Sequence, residues 1–324
     1  MTAATALAHP NIAFIKYWGD KDPVLRIPAN GSLSMNLDNL YSLTKVSFDP
    51  ELVWDELFID GQVAGDTAHQ RVSHFLDHVR KLSGIASKAR VESENNFPTG
   101  VGVASSASAF AALSLAASRA AGLDLDERSL SRLARRGSGS ACRSVPAGFV
   151  EWQPGEDDER SYAKSIAPAD HWQLYDCIAI ISQEHKETGS QEGHRLADSS
   201  LLQRTRVEDA PRRLGLCREA ILKRDFEAFA DIVEFDSNLM HAVMMTSQPQ
   251  LFYWLPATIA VMQAVSEWRK SGTAVCFTID AGPNVHIITL EENSPGVIAD
   301  LMHIPGVKKV LVSRPGAGVR LVNG

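Results

Sequence analysis

From Asn96 to Ala117 the chain reads NFPTGVGVASSASAFAALSLAA, a glycine-broken loop that runs directly into a helix of small residues. A helix faced with alanine and serine carries little apolar bulk, so it needs a neighbour packed close against it. The loop suggests a second use. Pro98, Thr99, Gly100 and Gly102 precede the helix, and glycine removes side chains that would block approach to the backbone. Ser105 and Ser106 stand where the helix would begin, a position that serine caps well. The free N–H groups and positive dipole end of such a terminus suit phosphate. These residues alone leave both readings open, since the stretch lacks the GxxxxGK[ST] pattern. Phe110, Leu113 and Leu115 are expected to face the core in either case.

The remaining chain mixes both kinds of periodicity. Strand-like runs occur at LTKVSF, ELFID, ARVESE, GFVEW, DCIAIIS, AVCFTID and VHIITL. Helical patterns occur at Arg71–Ile85, Ala107–Gly122, Glu127–Gly137, Pro211–Asp225 and Ala257–Gly272. The two do not alternate strictly, which favours an α+β architecture over a doubly wound sheet. With 324 residues, 44% of them hydrophobic, the chain has material for two domains. The polar stretch 153–170, with scattered prolines, reads as a surface connection and places the expected boundary between 1–170 and 171–324. A net charge of -7 without a basic run argues against nucleic acid as partner. Four dispersed cysteines, no CxxC pair, no signal-peptide pattern and no membrane-length apolar run fit a cytoplasmic enzyme.

Three further stretches carry chemistry-bearing residues. AHPNIAFIKYWGDKD puts Lys16 and Tyr17 directly after an apolar strand-like run. RRGSGSACRSVPAGFVEW gathers Ser138, Gly139, Ser140 and Arg143 just before another strand. FTIDAGPNVHII ends a strand on Asp280. Two of them have an ordinary explanation: a surface lysine, and an aspartate that starts a turn before glycine. The histidines of HFLDHV and NLMHAVMMTS, including His241, are read as structural, and no residue is assigned to a metal.

Taken together, IKYWG, NNFPT, ASSAS, GSGSACRS, the HAV after Asn238 and DAGPN closely resemble the mevalonate diphosphate decarboxylase family of the GHMP kinase superfamily, in order and approximate spacing. The resemblance spans nearly the whole chain. It implies a two-domain GHMP-type α+β fold with the active site in the cleft between the domains. It also implies a homodimer and a reaction of isoprenoid biosynthesis that consumes ATP with Mg²⁺. A mevalonate 5-phosphate ester is phosphorylated on its tertiary 3-hydroxyl, and phosphate and carbon dioxide then leave. Carried over residue by residue, Asp280 takes the hydroxyl proton, Lys16 stands beside it, and Arg143 holds the carboxylate that is lost. Tyr17, Ser138, Gly139, Ser140, Lys186 and Ser190 would bind substrate; Gly102, Ala104, Ser105 and Ser106 would bind the ATP phosphates. A kinase that stops after phosphorylation is disfavoured by the retained GSGSACRS run.

The sequence departs from the family where the 5-phosphate chain would sit. The family's YWGK is YWGD here, with Asp20 for lysine and Lys21 next door. Its KEVSSxxGM region is KETGSQEGH, with Gly189 for serine and His194 for methionine. These changes resemble the branch acting on mevalonate 5-phosphate, so the monophosphate is the expected substrate and the diphosphate the alternative.

Overall fold

The computed structural model describes residues 2–97, 105–184 and 189–322. Three sheets organise them. The first runs, edge to edge, Arg320–Leu321 (β16), Thr2–Ala8 (β1), Ser42–Asp49 (β6), Lys88–Asn95 (β9), Glu56–Ile59 (β7) and Gln62–Val63 (β8). The second comprises Tyr162–Ala167 (β11), Phe149–Gln153 (β10), Ser32–Asn36 (β5) and Asn11–Ile15 (β2). The third comprises Val275–Ile279 (β13), Val285–Leu290 (β14), Leu174–Ile180 (β12) and Lys309–Ser313 (β15). A small hairpin, Asp20–Asp22 (β3) with Ile27–Pro28 (β4), follows the second sheet's edge strand β2. The architecture is α+β, as expected.

Local sequence accounts for these elements. In β6 the buried side chains Ser42, Thr44, Val46 and Phe48 alternate with more exposed ones, the period of a sheet covered on one face. The cover is Ser105–Ala120 (α2), whose Ala107, Ala111, Ala112 and Ala116 are fully buried. The small residues therefore serve the close packing first. Phe110, Leu113 and Leu115 are buried in the same cluster. Asp66–Ser83 (α1) and Glu127–Gly137 (α3) complete this lobe, α3 being capped by the Asp126 side chain.

The helices beyond the second sheet differ more from expectation. Ser190–Leu196 (α4) precedes a long antiparallel pair, Leu201–Lys223 (α5) and Phe226–Thr246 (α6); Pro256–Lys270 (α7) and Ser294–His303 (α8) pack on the third sheet. α5 begins ten positions before the expected Pro211, at a Ser200 cap, and holds that proline within it. α6 was not anticipated. Its apolar period is broken by Asp236 and Ser237, both fully buried because they face polar partners. The stretch read as a surface connection contains strand β11, paired along β10, because Ala163 and Ala167 supply a buried side.

One apolar cluster joins residues from both sides of position 170. Phe14 and Phe149 meet Phe229 and Ile288 there, and the Phe14 and Phe229 rings lie 4.8 Å apart, edge to face. The chain's last strand, β16, returns to pair with β1. Among the described residues no helix is long and apolar enough to cross a membrane.

Candidate active site

Lys16 is the first residue after β2, and Asp280 the first after β13. The contact between the second and third sheets brings these strand ends together. Lys16 Nζ donates to Asp280 Oδ1 at 2.7 Å, with the lysine buried and the aspartate side chain 29% exposed. Burial pulls the Lys16 ammonium below its ordinary value, while Asp280 pulls it back up. Burial pushes the Asp280 carboxyl up, but the positive groups around it, Lys16 first, leave it below its ordinary value.

The lysine backbone is held as firmly as its ammonium. Its N–H donates to Asp236 Oδ2 at 2.7 Å. Its carbonyl accepts from Arg206 Nη2 at 2.7 Å and Asn30 Nδ2 at 2.9 Å. Arg213 Nε donates to the other Asp236 oxygen at 2.7 Å. Arg206 and Arg213 lie seven residues apart on α5, one face of the helix, and both are fully buried. Sequence reading missed Arg206, Arg213, Asp236, Asn11 and Asn30. The available signal was a pair of arginines at helical spacing opposite an acid in an otherwise apolar segment.

Arg143 belongs to a 3₁₀ turn, Gly139–Ser144, between α3 and β10. It is buried, over the Trp152 ring at 5.9 Å. Nε and Nη2 donate to Asn11 Oδ1 at 3.1 and 3.0 Å, and Nη1 donates to Ser32 Oγ at 2.7 Å. A guanidinium has five N–H groups. Two therefore keep no acceptor among the described residues, one on each terminal nitrogen. The Nε side of the fork is occupied by Asn11, and each terminal nitrogen keeps one further N–H.

Ser138, just before the turn, has its hydroxyl 3.2 Å from Ser106 Oγ at the start of α2. The serines expected to serve two ligands are thus neighbours. Gly139 lies against Tyr17: a Cβ there would sit 2.7 Å from the ring. Ser140 is half-buried, and its carbonyl accepts from Asn11 Nδ2 at 3.2 Å. Beside α2, a cavity of ≈ 200 Å³ is lined by Leu57, Ile59, Arg71, Val91, Ser105 and Phe110 among others. Arg71 stacks over Phe110 at 4.5 Å. Among the described residues no group of three or more His, Cys, Asp or Glu side chains is arranged to hold a metal. Gly102, Ala104 and Lys186 lie outside the described residues.

A separate group gathers at Tyr17. Its hydroxyl donates to Asp20, and its ring lies 4.1 Å from that of His194 on α4. His194 also stacks on Trp18 at 4.6 Å and accepts the Gly19 N–H through Nδ1 at 3.0 Å. Burial pulls its imidazole down to about 3, so it is neutral. Burial likewise pushes the Asp20 carboxyl up, against the pull of Tyr17, Arg26 and Arg195. Ser190 is exposed, one turn before His194, and Lys21 is exposed beside Asp20. His241 lies instead by the Lys16–Asp280 pair, packed on Trp254 at 4.9 Å with Nε2 3.3 Å from the Ile279 carbonyl.

Comparison with known proteins bears on this arrangement. Residues 8–163 match the model of the diphosphomevalonate decarboxylase-like N-terminal domain, and 177–314 that of the mevalonate 5-diphosphate decarboxylase C-terminal domain. The diphosphomevalonate decarboxylase of Candida albicans is 37% identical over 98% of this chain and 94% of its own. The human diphosphomevalonate decarboxylase is 37% identical over 94% of this chain and 80% of its own. The crystal structure of the Staphylococcus aureus mevalonate diphosphate decarboxylase superposes with a TM-score of 0.94 at 36% identity, covering 99% of this chain and 98% of that one. A structure solved with MVAPP, AMPPCP and magnesium also reaches a TM-score of 0.94, at 35% identity, over 100% of this chain and 99% of that one. Both halves of the sequence and the whole fold lead to one conclusion: the chain belongs to the diphosphomevalonate decarboxylase family.

Proposed function

We propose that this protein is an ATP-dependent carboxy-lyase that phosphorylates the 3-hydroxyl of a 5-phosphorylated mevalonate and then expels phosphate and carbon dioxide. The observation that carries the reading is the Lys16–Asp280 pair set beside Arg143. Lys16 occupies Asp280 Oδ1, and Oδ2 has no protein donor among the described residues. The carboxylate is thus free to accept the proton of a hydroxyl as its oxygen attacks the γ-phosphorus of ATP. Lys16 offsets charge that gathers on the transferred phosphoryl group. The two unpaired N–H groups of Arg143 form a fork for the substrate carboxylate. When the carbon–carbon bond to that carboxylate breaks, its electrons form the new double bond and the 3-phosphate leaves with the C–O pair.

ATP is assigned to the start of α2. Ser105 and Ser106 and the helix dipole favour the phosphates, and the apolar cavity beside them suits the nucleoside. Gly102, Ala104, Lys186 and Ser190 keep the roles implied by the family motifs. Mg²⁺ would come with the nucleotide as its counter-ion, and the hydroxyls of Ser105 and Ser106 are hard oxygen donors of the kind that would help hold it. The lobes 1–170 and 171–324 and a homodimer belong to the same reading; light scattering tests the latter.

The relatives support mevalonate 5-diphosphate as the substrate, since those described above carry that name. The monophosphate expected from sequence finds its support in one specific observation. Asp20 stands where the family motif has lysine, and Tyr17 already donates to it. Turnover of mevalonate, its 5-phosphate and its 5-diphosphate, measured as ADP and carbon dioxide together, tests both readings. Equal release of the two products supports decarboxylation, and ADP alone leaves a kinase. The better ester names the substrate.

A further inference from the structure

Behind Asp280 lies a second acid that the reaction does not touch. Asp176 on β12 and His286 on β14 are 0% and 1% exposed. His286 Nδ1 lies 2.7 Å from Asp176 Oδ2. The other polar atom of each, His286 Nε2 and Asp176 Oδ1, is buried without a protein partner among the described residues. Such orphans are rare in folded proteins, and an internal water is their usual partner.

Sheet register places the pair relative to the active site. His286 stands opposite Thr278 of β13 and Ile178 of β12, while Asp176 stands opposite Ile288. Asp280 is two residues beyond Thr278, so the two side chains leave the same face of the chain. Asp176, His286 and Asp280 therefore form a diagonal across three strands. Diagonal neighbours are about 7–8 Å apart, a gap that side chains and one water can fill. With Nδ1 engaged by Asp176, Nε2 is the ring atom left for a further partner on the sheet face that also carries Asp280.

We propose that the Asp176–His286 pair is a positioning element for Asp280, with His286 Nε2 joined to the Asp280 carboxylate through one buried water. The inference rests on Asp280 being the group that accepts the hydroxyl proton. The electrostatics agree: after the opposing effect of burial, Lys16 and then His286 are the main influences holding the Asp280 carboxyl down. The other charged or titratable groups packed around the diagonal are Arg143, Asp236, Glu234, His241 and Cys276. Glu234 is turned to the Phe277 N–H and Asp236 to the Lys16 N–H, so neither supplies the Nε2 partner.

The test is a carboxyl and imidazole NMR titration of the ligand-free protein, with Asp280 assigned by its loss in Asp280→Asn. His286→Gln is expected to raise the Asp280 midpoint by about one pH unit, the scale of a lost hydrogen bond to an ionised carboxylate. Asp176→Asn, which releases the ring from its buried partner, is expected to move the Asp280 midpoint the same way. If His286→Gln does not fold, the Asp176→Asn arm decides alone. Midpoints that stay in place overturn the proposal. A merely structural pair lowers Tm and moves neither. Because no substrate is present, failure here is distinct from failure of either mevalonate ester to turn over.

Discussion

The two ends of the active site are built to different tolerances. At the reaction end, Lys16 is gripped through its amide, its carbonyl and its ammonium by groups from α5, α6, the segment before β5 and the end of β13. Arg143 is fixed by Asn11 and Ser32 on two neighbouring strands. All of these except Asp280 are buried. At the other end, Tyr17, Asp20 and His194 are half-buried and sit on a small hairpin and a single short helix. In the proposed reading the chemistry is thus wired into the core, whereas recognition of the phosphate chain is assigned to more exposed elements. Selectivity can change there without disturbing the groups that react.

The largest effect should come from the reaction end. Asp280→Asn keeps the shape and loses the proton acceptor, so turnover should fall about 10²–10⁴-fold in folded protein. A steady-state assay with whichever ester the parent prefers checks this. Near-parent activity would remove Asp280 from its role. Asp236→Leu strikes the same end from behind. It strips Arg213 of its fully buried partner, leaving only the half-buried Asp209, and leaves the Lys16 N–H without an acceptor. Stability should drop by about 3–5 kcal/mol, read by urea denaturation. Arg143→Lys should cost roughly tenfold to a hundredfold in kcat/KM, because a point charge cannot replace a fork already anchored on Asn11. Parent-like turnover and affinity in the lysine variant would refute the carboxylate contact.

The contrast between the ends also explains what sequence reading reached. Lys16, Arg143 and Asp280 could be singled out as candidates because each closes a recognisable motif at the end of a strand or in a turn. Their supports were not. Arg206 and Arg213 look like surface arginines of a polar helix, and their burial follows only from where α5 lies. Asp236 did more than escape notice: by breaking the apolar period it concealed the whole of α6. The strand ends and α2 were readable from period and small-residue packing. That the polar stretch 153–170 contains an edge strand depends on pairing with β10, a contact no local pattern encodes.

A smaller effect, seen by pH, involves one histidine at each end. Burial holds His194 at about 3 and His241 at about 4, both below the ordinary 6.5. An unfolded chain binds these protons first, so the stability they provide is complete above about pH 6.5 and is lost as the pH falls toward 4. Urea midpoints across that range should therefore decline on acidification. His194→Gln should flatten the decline, and an unchanged slope would show that His194 does not titrate on unfolding.

The separation of chemistry from selectivity is tested most directly by Asp20→Asn, assayed in parallel with mevalonate 5-phosphate and 5-diphosphate. The substitution keeps an acceptor for the Tyr17 hydroxyl and removes the charge. At a partly open site the charge is worth about 1.4 kcal/mol against the more highly charged ester, which is tenfold in specificity. The expected result is a shift of the kcat/KM ratio toward the diphosphate by about that factor, with carbon dioxide and ADP still released in equal amounts. An unchanged ratio, or ADP released without carbon dioxide, would contradict it.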